Sequence, residues 1–301
     1  MNIMWFGFAF IALLCFSGSD LFCKIGSSPD DSYSHMKMIF TVGMVMGIHA
    51  ALRITLGGTT ITFTDIEIYL PVALISVVTM LIGFCGLRYI ELSISSPICN
   101  SSGVLAALFS YLFLGQSINK MQLFAVILIC FSVIQLGIIE VREDAEHRAK
   151  RQKDSKIKYP KTAIGIAISF SYCFTNTCAT IADTIALERI SERSASAIYE
   201  LTLFAAGIVA FIYVVIYKKQ KLKAAWELPK VIGAVFETGG QFAYMFALSR
   251  NAILAAPLIS AYCVGSVVWS RLFLKEKLNA KHYFLVALCI FGMVVMAAVS
   301  I

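Results

Sequence analysis

Long apolar runs separated by short polar breaks organise this chain from one end to the other. A helix needs about 20 mainly apolar residues to cross the hydrocarbon of a bilayer. Ten segments meet that length: Ile3–Lys24, Met36–Leu56, Ile68–Ile90, Leu92–Gly115, Met121–Glu140, Thr162–Leu187, Ala195–Tyr217, Leu228–Ser249, Ala252–Lys275 and Ala280–Ser300. The runs are too long for barrel strands and do not alternate with period two, so helices are predicted. The third and fourth runs, like the eighth and ninth, are nearly continuous and predict tight turns. The first run has no Lys or Arg ahead of it and no small-x-small cleavage site, so it reads as a retained helix rather than a removable leader.

Composition sharpens the picture. Hydrophobic residues make up 59% of the 301 and charged residues 14%, against about 45–50% and about 25% in soluble domains. Mean hydropathy is +0.80. A soluble globule could not bury so much apolar surface, and a disordered chain would not carry it. The expected class is an all-α integral membrane protein. The net charge of +7 does not point to nucleic acid, because the basic residues are sorted by face. Of the 25 Lys and Arg, 20 fall on one side of the ten expected spans: Lys24, Lys37 and Arg88, the eight from Arg142 to Lys161, five in Lys218–Lys230 and four in Arg271–Lys281. The other side holds only Arg53, Lys120, Arg189, Arg193 and Arg250. The positive-inside rule puts the richer face, with the linker, in the cytoplasm and both termini outside, in the cytoplasmic membrane. The nine cysteines lie in apolar stretches, with no CxxC pair or zinc spacing, and read as small packing residues. No metal and no cofactor is implied.

The linker, residues 141–160, divides the chain into residues 1–140 and 161–301, each with five expected helices. A shift of 160 residues aligns the ends of the two parts without a gap. Pro97 meets Pro257, Ser110 meets Ser270, Leu112–Phe113–Leu114 meets Leu272–Phe273–Leu274, and Asn119 meets Asn279. Phe124 and Phe131 meet Phe284 and Phe291, and 11 of 35 positions from Pro97 are identical. Five is odd, so the second repeat enters the membrane from the opposite side. Such inverted repeats are a feature of secondary transporters that work by alternating access.

The stretch Leu112–Phe113–Leu114–Gly115–Gln116 and its partner Leu272–Phe273–Leu274–Lys275–Glu276 resemble the EamA-type signature of the drug/metabolite transporter superfamily, whose repeats close their fourth helix in an LFLGE-like sequence. The first repeat departs from it, with Gln116 in the acidic place. The resemblance spans nearly the whole chain. It implies ten helices in two inverted five-helix repeats, with the first four of each lining a cavity. The fifth of each (Met121–Glu140 and Ala280–Ser300) would lie at the periphery, against lipid or a second copy of the chain. Many relatives keep their termini in the cytoplasm, so the outside assignment is a departure.

Polar groups inside hydrocarbon need a partner, a cavity or a ligand. Glu237 stands near the middle of the eighth run, with Gln241 and Tyr244 at i+4 and i+7 on the same face. It is the candidate for a substrate cation or a coupling proton. Asn100 and Asn176 make the fourth and sixth runs unusually polar and are candidate substrate contacts, with helix-to-helix bonding as the bland reading. Tyr262 and Trp269, at i and i+7 in the ninth run, are candidates to enclose an ammonium group beside Glu237. His49 and Arg53 form an i, i+4 pair that would contact a carboxylate or phosphate, or let Arg53 reach the interface. Asp20 and Lys24 are spaced to pair with each other, and Glu200 faces either the cavity or the headgroups. Pro97 and Pro257 are hinges or helix starts.

The expected function is a secondary transporter of a small polar or zwitterionic, amino-acid-like metabolite, working by proton coupling, with Glu237 as its candidate, or by facilitated exchange. The alternative is an organic-cation, quaternary-amine or multidrug transporter. No GxxxxGK[ST] loop supplies nucleotide energy. An integral-membrane enzyme is the remote alternative, because the four histidines are scattered and form no HExxH-like cluster.

Overall fold

The computed structural model describes residues 4–27, 31–113, 119–143, 145–157, 159, 162–250, 255 and 258–299. Gln116 and Pro257 lie outside the described residues. The first half forms α1 (Met4–Gly26), α2 (Ser34–Thr55), α3 (Phe63–Gly86), α4 (Leu92–Asn100), α5 (Ser102–Phe113) and α6 (Lys120–Arg142). A short α7 (Ala145–Arg151) sits in the linker. The second half forms α8 (Thr162–Leu187), α9 (Glu192–Phe211), α10 (Ala224–Arg250), α11 (Tyr262–Trp269) and α12 (Ala280–Val299). The helices α9 and α11 run on into π-helical turns at Ile212–Tyr217 and Ser270–Leu274. Among the described residues there is no strand. Six helices are long and apolar enough to cross a membrane: α1, α2, α3, α8, α9 with its π turn, and α10. Leu123–Leu136, Leu258–Leu274 and Ala280–Gly292 are shorter apolar helices.

Local chemistry sets the ends of these elements. Thr62 and Asp65 form a reciprocal capping box at the start of α3, each side chain accepting the other's backbone N–H. Ser191 Oγ accepts from Ser194 N at 3.1 Å to open α9. The expected fourth span is not one helix. It breaks at Ser101, between α4 and α5. Pro97 has no N–H to give, Asn100 Nδ2 donates to Ser96 O at 2.8 Å, and Ser101 Oγ donates to Pro97 O at 2.9 Å. Side chains thus occupy carbonyls that a continuous ladder would use.

The helices pair across the two halves: α1 packs on α10, α2 on α9, α3 on α8 and α6 on α12. The α2–α9 crossing is close for a reason written as Gly43-x-x-x-Gly47. A Cβ on Gly43 would lie 2.4 Å from Leu203 O and 3.1 Å from Gly207 Cα, so only glycine lets the two backbones approach. Phe124, Phe131, Phe284 and Phe291, equivalent pairs in the repeat, all face outward from α6 and α12. Lipid suits such a surface and water does not.

The linker is not a freely solvated loop. Arg151, Gln152 and Tyr159 are buried against the helix ends. Arg151 is ion-paired to Glu91 and, at 2.8 Å, to Glu143, while Asn279 donates to Glu143 at 3.0 Å. Burial opposes ionisation of Glu143, but the Arg151 hydrogen bonds and charge prevail and hold its carboxyl below the usual range.

Candidate functional site

A cavity of about 160 Å³ lies at the centre of the bundle, bounded by α1, α3, α4, α5, α8, α9, α10 and residues Ile259, Ser260 and Tyr262. That volume holds a small molecule rather than a peptide. Three carboxyl groups line it: Asp20, Asp183 and Glu237. Among the described residues that line it there is no Lys, Arg or His. Phe16, Phe84, Tyr172, Tyr199, Tyr244 and Tyr262 supply aromatic surface.

The first two carboxylates are held by hydroxyls. Asp20 Oδ2 accepts from Ser96 Oγ at 2.8 Å and from Ser266 Oγ at 2.6 Å, which ties α1 to α4 and α11. Asp183 accepts from Tyr69 OH at 2.6 Å and from Tyr244 OH at 3.4 Å, which ties α8 to α3 and α10. Glu237 is half-buried beside Ser19 and close enough to Asp20 for their charges to interact.

Of the residues singled out in the sequence, Glu237, Gln241, Tyr244, Asn100, Asn176 and Tyr262 line this cavity. The two asparagines also bond within the bundle. Asn100 Nδ2 donates to Ser96 Oγ at 3.0 Å, and Asn176 Nδ2 donates to Ser102 Oγ at 2.8 Å, joining α8 to α5. His49 and Trp269 do not line the cavity. His49 Nδ1 lies 2.9 Å from Glu200 Oε2, and Arg53 reaches Glu200 at 3.4 Å and Ser196 at 2.9 Å. The close α2–α9 crossing presents this buried carboxylate to both basic groups, so Glu200 faces neither cavity nor headgroups. Trp269 Nε1 points at Ser17 Oγ, 3.4 Å away, because Gly265 brings α11 directly against Ser17 of α1.

Asp20 and Lys24 take separate partners. Lys24 is fully buried, donates to the carbonyls of Leu87 and Ile90, and sits 4.2 Å from the centre of the Tyr159 ring. This contact belongs to a seal at the basic end of the bundle. Glu276, the acidic residue of the repeat signature, accepts from Leu92 N at 3.1 Å, Ser93 N at 3.0 Å and Ser93 Oγ at 2.8 Å. It therefore caps α4 across the two halves, where the helix dipole favours an anion. Arg271 supports it by donating to the Glu276 backbone carbonyl at 3.3 Å. Leu87 and Leu92, whose backbone groups Lys24 and Glu276 hold, also line the cavity.

Asp183, Tyr69 and Thr79 were not singled out in the sequence. The signal for Asp183 was present: Asn176, Thr180 and Asp183 stand at i, i+4 and i+7 on one face of α8. It lies four residues before the end of the predicted span at Leu187.

Apolar helices long enough for a bilayer, wrapped around a polar chamber of solute size, define a multi-pass membrane protein that handles a small molecule. The model of the EamA-like transporter family matches residues 3–138 and again residues 163–298, and the chain belongs to that family. It is a membrane transporter of the drug/metabolite type. No curated protein matches the chain. A solved crystal structure of another protein aligns over 97% of this chain and 96% of its own, with a TM-score of 0.63 and 14% identity, a likeness of fold alone.

Proposed function

We propose that this protein is a secondary transporter that carries a small metabolite with a cationic amine by alternating access. The observation that carries this reading is the charge of the cavity lining: three carboxyl groups and, among the described lining residues, no basic side chain. A zwitterion would leave its carboxylate facing other carboxylates, which is costly in a low-dielectric site. An ammonium group instead gains charge-assisted hydrogen bonds and aromatic contact. The three shorter apolar helices and the broken α4–α5 segment complete ten spans, arranged as two inverted repeats. Both termini face outside, and the sealed basic end faces the cytoplasm. The seal at that end supports an outward-facing resting state. Glu237 is the group that exchanges a proton for the substrate amine.

Thermal stabilisation of the purified protein by amines, amino acids, nucleosides and phosphorylated sugars tests this. A ligand that binds the folded state raises the melting temperature by mass action. Amines should stabilise the wild type and lose most of that effect in Glu237→Gln. Stabilisation by anions or neutral metabolites alone, equal in both proteins, would refute the reading.

A further inference from the structure

The three cavity carboxylates are not one cluster. Glu237 interacts with Asp20, whereas Asp183 is bonded to Tyr244, seven residues further along α10. Seven residues of α-helix advance on the order of 10 Å. The cavity therefore has two anionic poles at different depths. Between them, Phe16 stands 6.4 Å from the Tyr244 ring and 5.5 Å from the Tyr262 ring, and Tyr199 interacts with both Glu237 and Asp183. A second kind of observation marks this space as built for a ligand. Thr79 lines the cavity at 2% exposure, and its Oγ1 has no hydrogen-bond partner. A buried hydroxyl without a partner is rare unless something else supplies one.

We infer that the substrate is an elongated dication, a linear diamine or polyamine, with one ammonium at the Asp20–Glu237 pole and the other at the Asp183 pole. This deepens the amine reading above and rests on it. The alkyl spacer would lie along the aromatic stretch, where methylenes are at home and a lone charge is not. An extended chain advances ~1.2 Å per bond, since three backbone bonds span about 3.6 Å. Allowing for hydrogen-bond reach at each end, the poles accept a spacer of roughly four to seven carbons. The hydroxyls of Ser96, Ser266, Tyr69 and Tyr244 now donate to Asp20 and Asp183. Each of these carboxylates also has acceptor capacity for an ammonium N–H.

The test is a ladder of probes measured by calorimetry on the full chain in lipid nanodiscs. Linear monoamines of three to ten carbons are compared with α,ω-diamines of the same carbon numbers. The expected result is a diamine optimum within the ladder, about tenfold or more tighter than the matching monoamine, because a second charge-assisted contact forms. Asp183→Asn should bring that ratio to near one. Asp183→Glu, which advances the carboxylate by one methylene, should move the optimum to a shorter diamine. A flat ladder, or an Asp183→Asn ratio unchanged from wild type, overturns the two-pole assignment while leaving the amine reading intact. Absence of binding by any amine overturns both. The wild-type ladder decides the matter even where a variant fails to fold.

Discussion

Replacing Glu276 by Gln tests whether the repeat signature works as a cap between the halves. The carboxylate is 1% exposed and takes three donors, one on Oε1 and two on Oε2. Glutamine keeps one acceptor oxygen and turns an NH₂ toward the donors on the other side. On the retained side, a charge-assisted bond becomes a neutral one, a loss of about 1 kcal/mol. On the other side, a buried donor loses its acceptor, a further loss of about 1–3 kcal/mol. The first turn of α4 should therefore open more easily by about 2–4 kcal/mol, which is roughly 30- to 1,000-fold in an opening equilibrium. Hydrogen–deuterium exchange read on peptides covering Leu92–Ser96 measures this directly, since amide exchange reports the local opening free energy. Exchange there should rise by that factor in Glu276→Gln, with peptides from α2 and α9 unchanged. Unaltered exchange at Leu92–Ser96 would show that the cap is not what holds α4, and the reasoning would fail.

Three other outcomes follow from the geometry. Gly43→Ala forces a Cβ against the Leu203 carbonyl and the Gly207 backbone, so it should cost about 1–3 kcal/mol and lower the melting temperature by several degrees. Glu200→Gln leaves Arg53 and His49 facing a neutral group. With the His49 side chain 33% exposed, the loss should sit at the low end for a broken buried pair, about 3 kcal/mol, again read as a melting shift. Glu143 is held below its ordinary value of 4.5. Its contribution to linker docking is therefore complete above that value and is lost as pH falls through the lower, folded-state value. Proteolysis of the linker should stay slow at pH 5 and accelerate only in more acidic buffer, and Arg151→Met should move that onset upward.

The periodicities legible in the chain were those confined to one helix. The stripe Glu237–Gln241–Tyr244 needed only the 3.6-residue repeat to be seen, and all three line the cavity. What escaped were contacts between elements far apart in sequence. Glu200 lies 151 residues from His49, and no pattern near His49 announces it, so the pair read as a ligand contact or as an Arg53 reaching the interface. Arg151 and Tyr159 sit in a segment whose composition reads as solvated. Their burial depends on Glu91, 60 residues away, and on the Lys24 ammonium over the Tyr159 ring. The Gly43-x-x-x-Gly47 spacing was readable, but its meaning required knowing that Gly207 stands opposite. Hydrophobic patterning identifies a span and its polar face. It does not say which other span that face will meet.

Partners distinguish the ion-paired carboxylates of the scaffold from those of the cavity, whereas Glu276 is a scaffold carboxylate held by backbone and serine donors instead. Outside the cavity, Asp31 is bonded to Lys37 at 2.7 Å, Glu91 and Glu143 to Arg151, and Glu200 to Arg53 and His49. Each pair is mutually neutralising, and breaking it would strand a charge. Inside the cavity, Asp20 and Asp183 are bonded to serine and tyrosine hydroxyls instead. A hydroxyl orients a carboxylate without cancelling its charge, and it can turn to accept rather than donate. The same hydroxyls come from helices of both halves, Ser96 and Tyr69 from the first and Ser266 and Tyr244 from the second. A cation arriving at either carboxylate would therefore act on a group whose hydrogen bonds also hold the halves together. Binding and the relative position of the halves would then become one equilibrium, the coupling that the proposed alternating access requires.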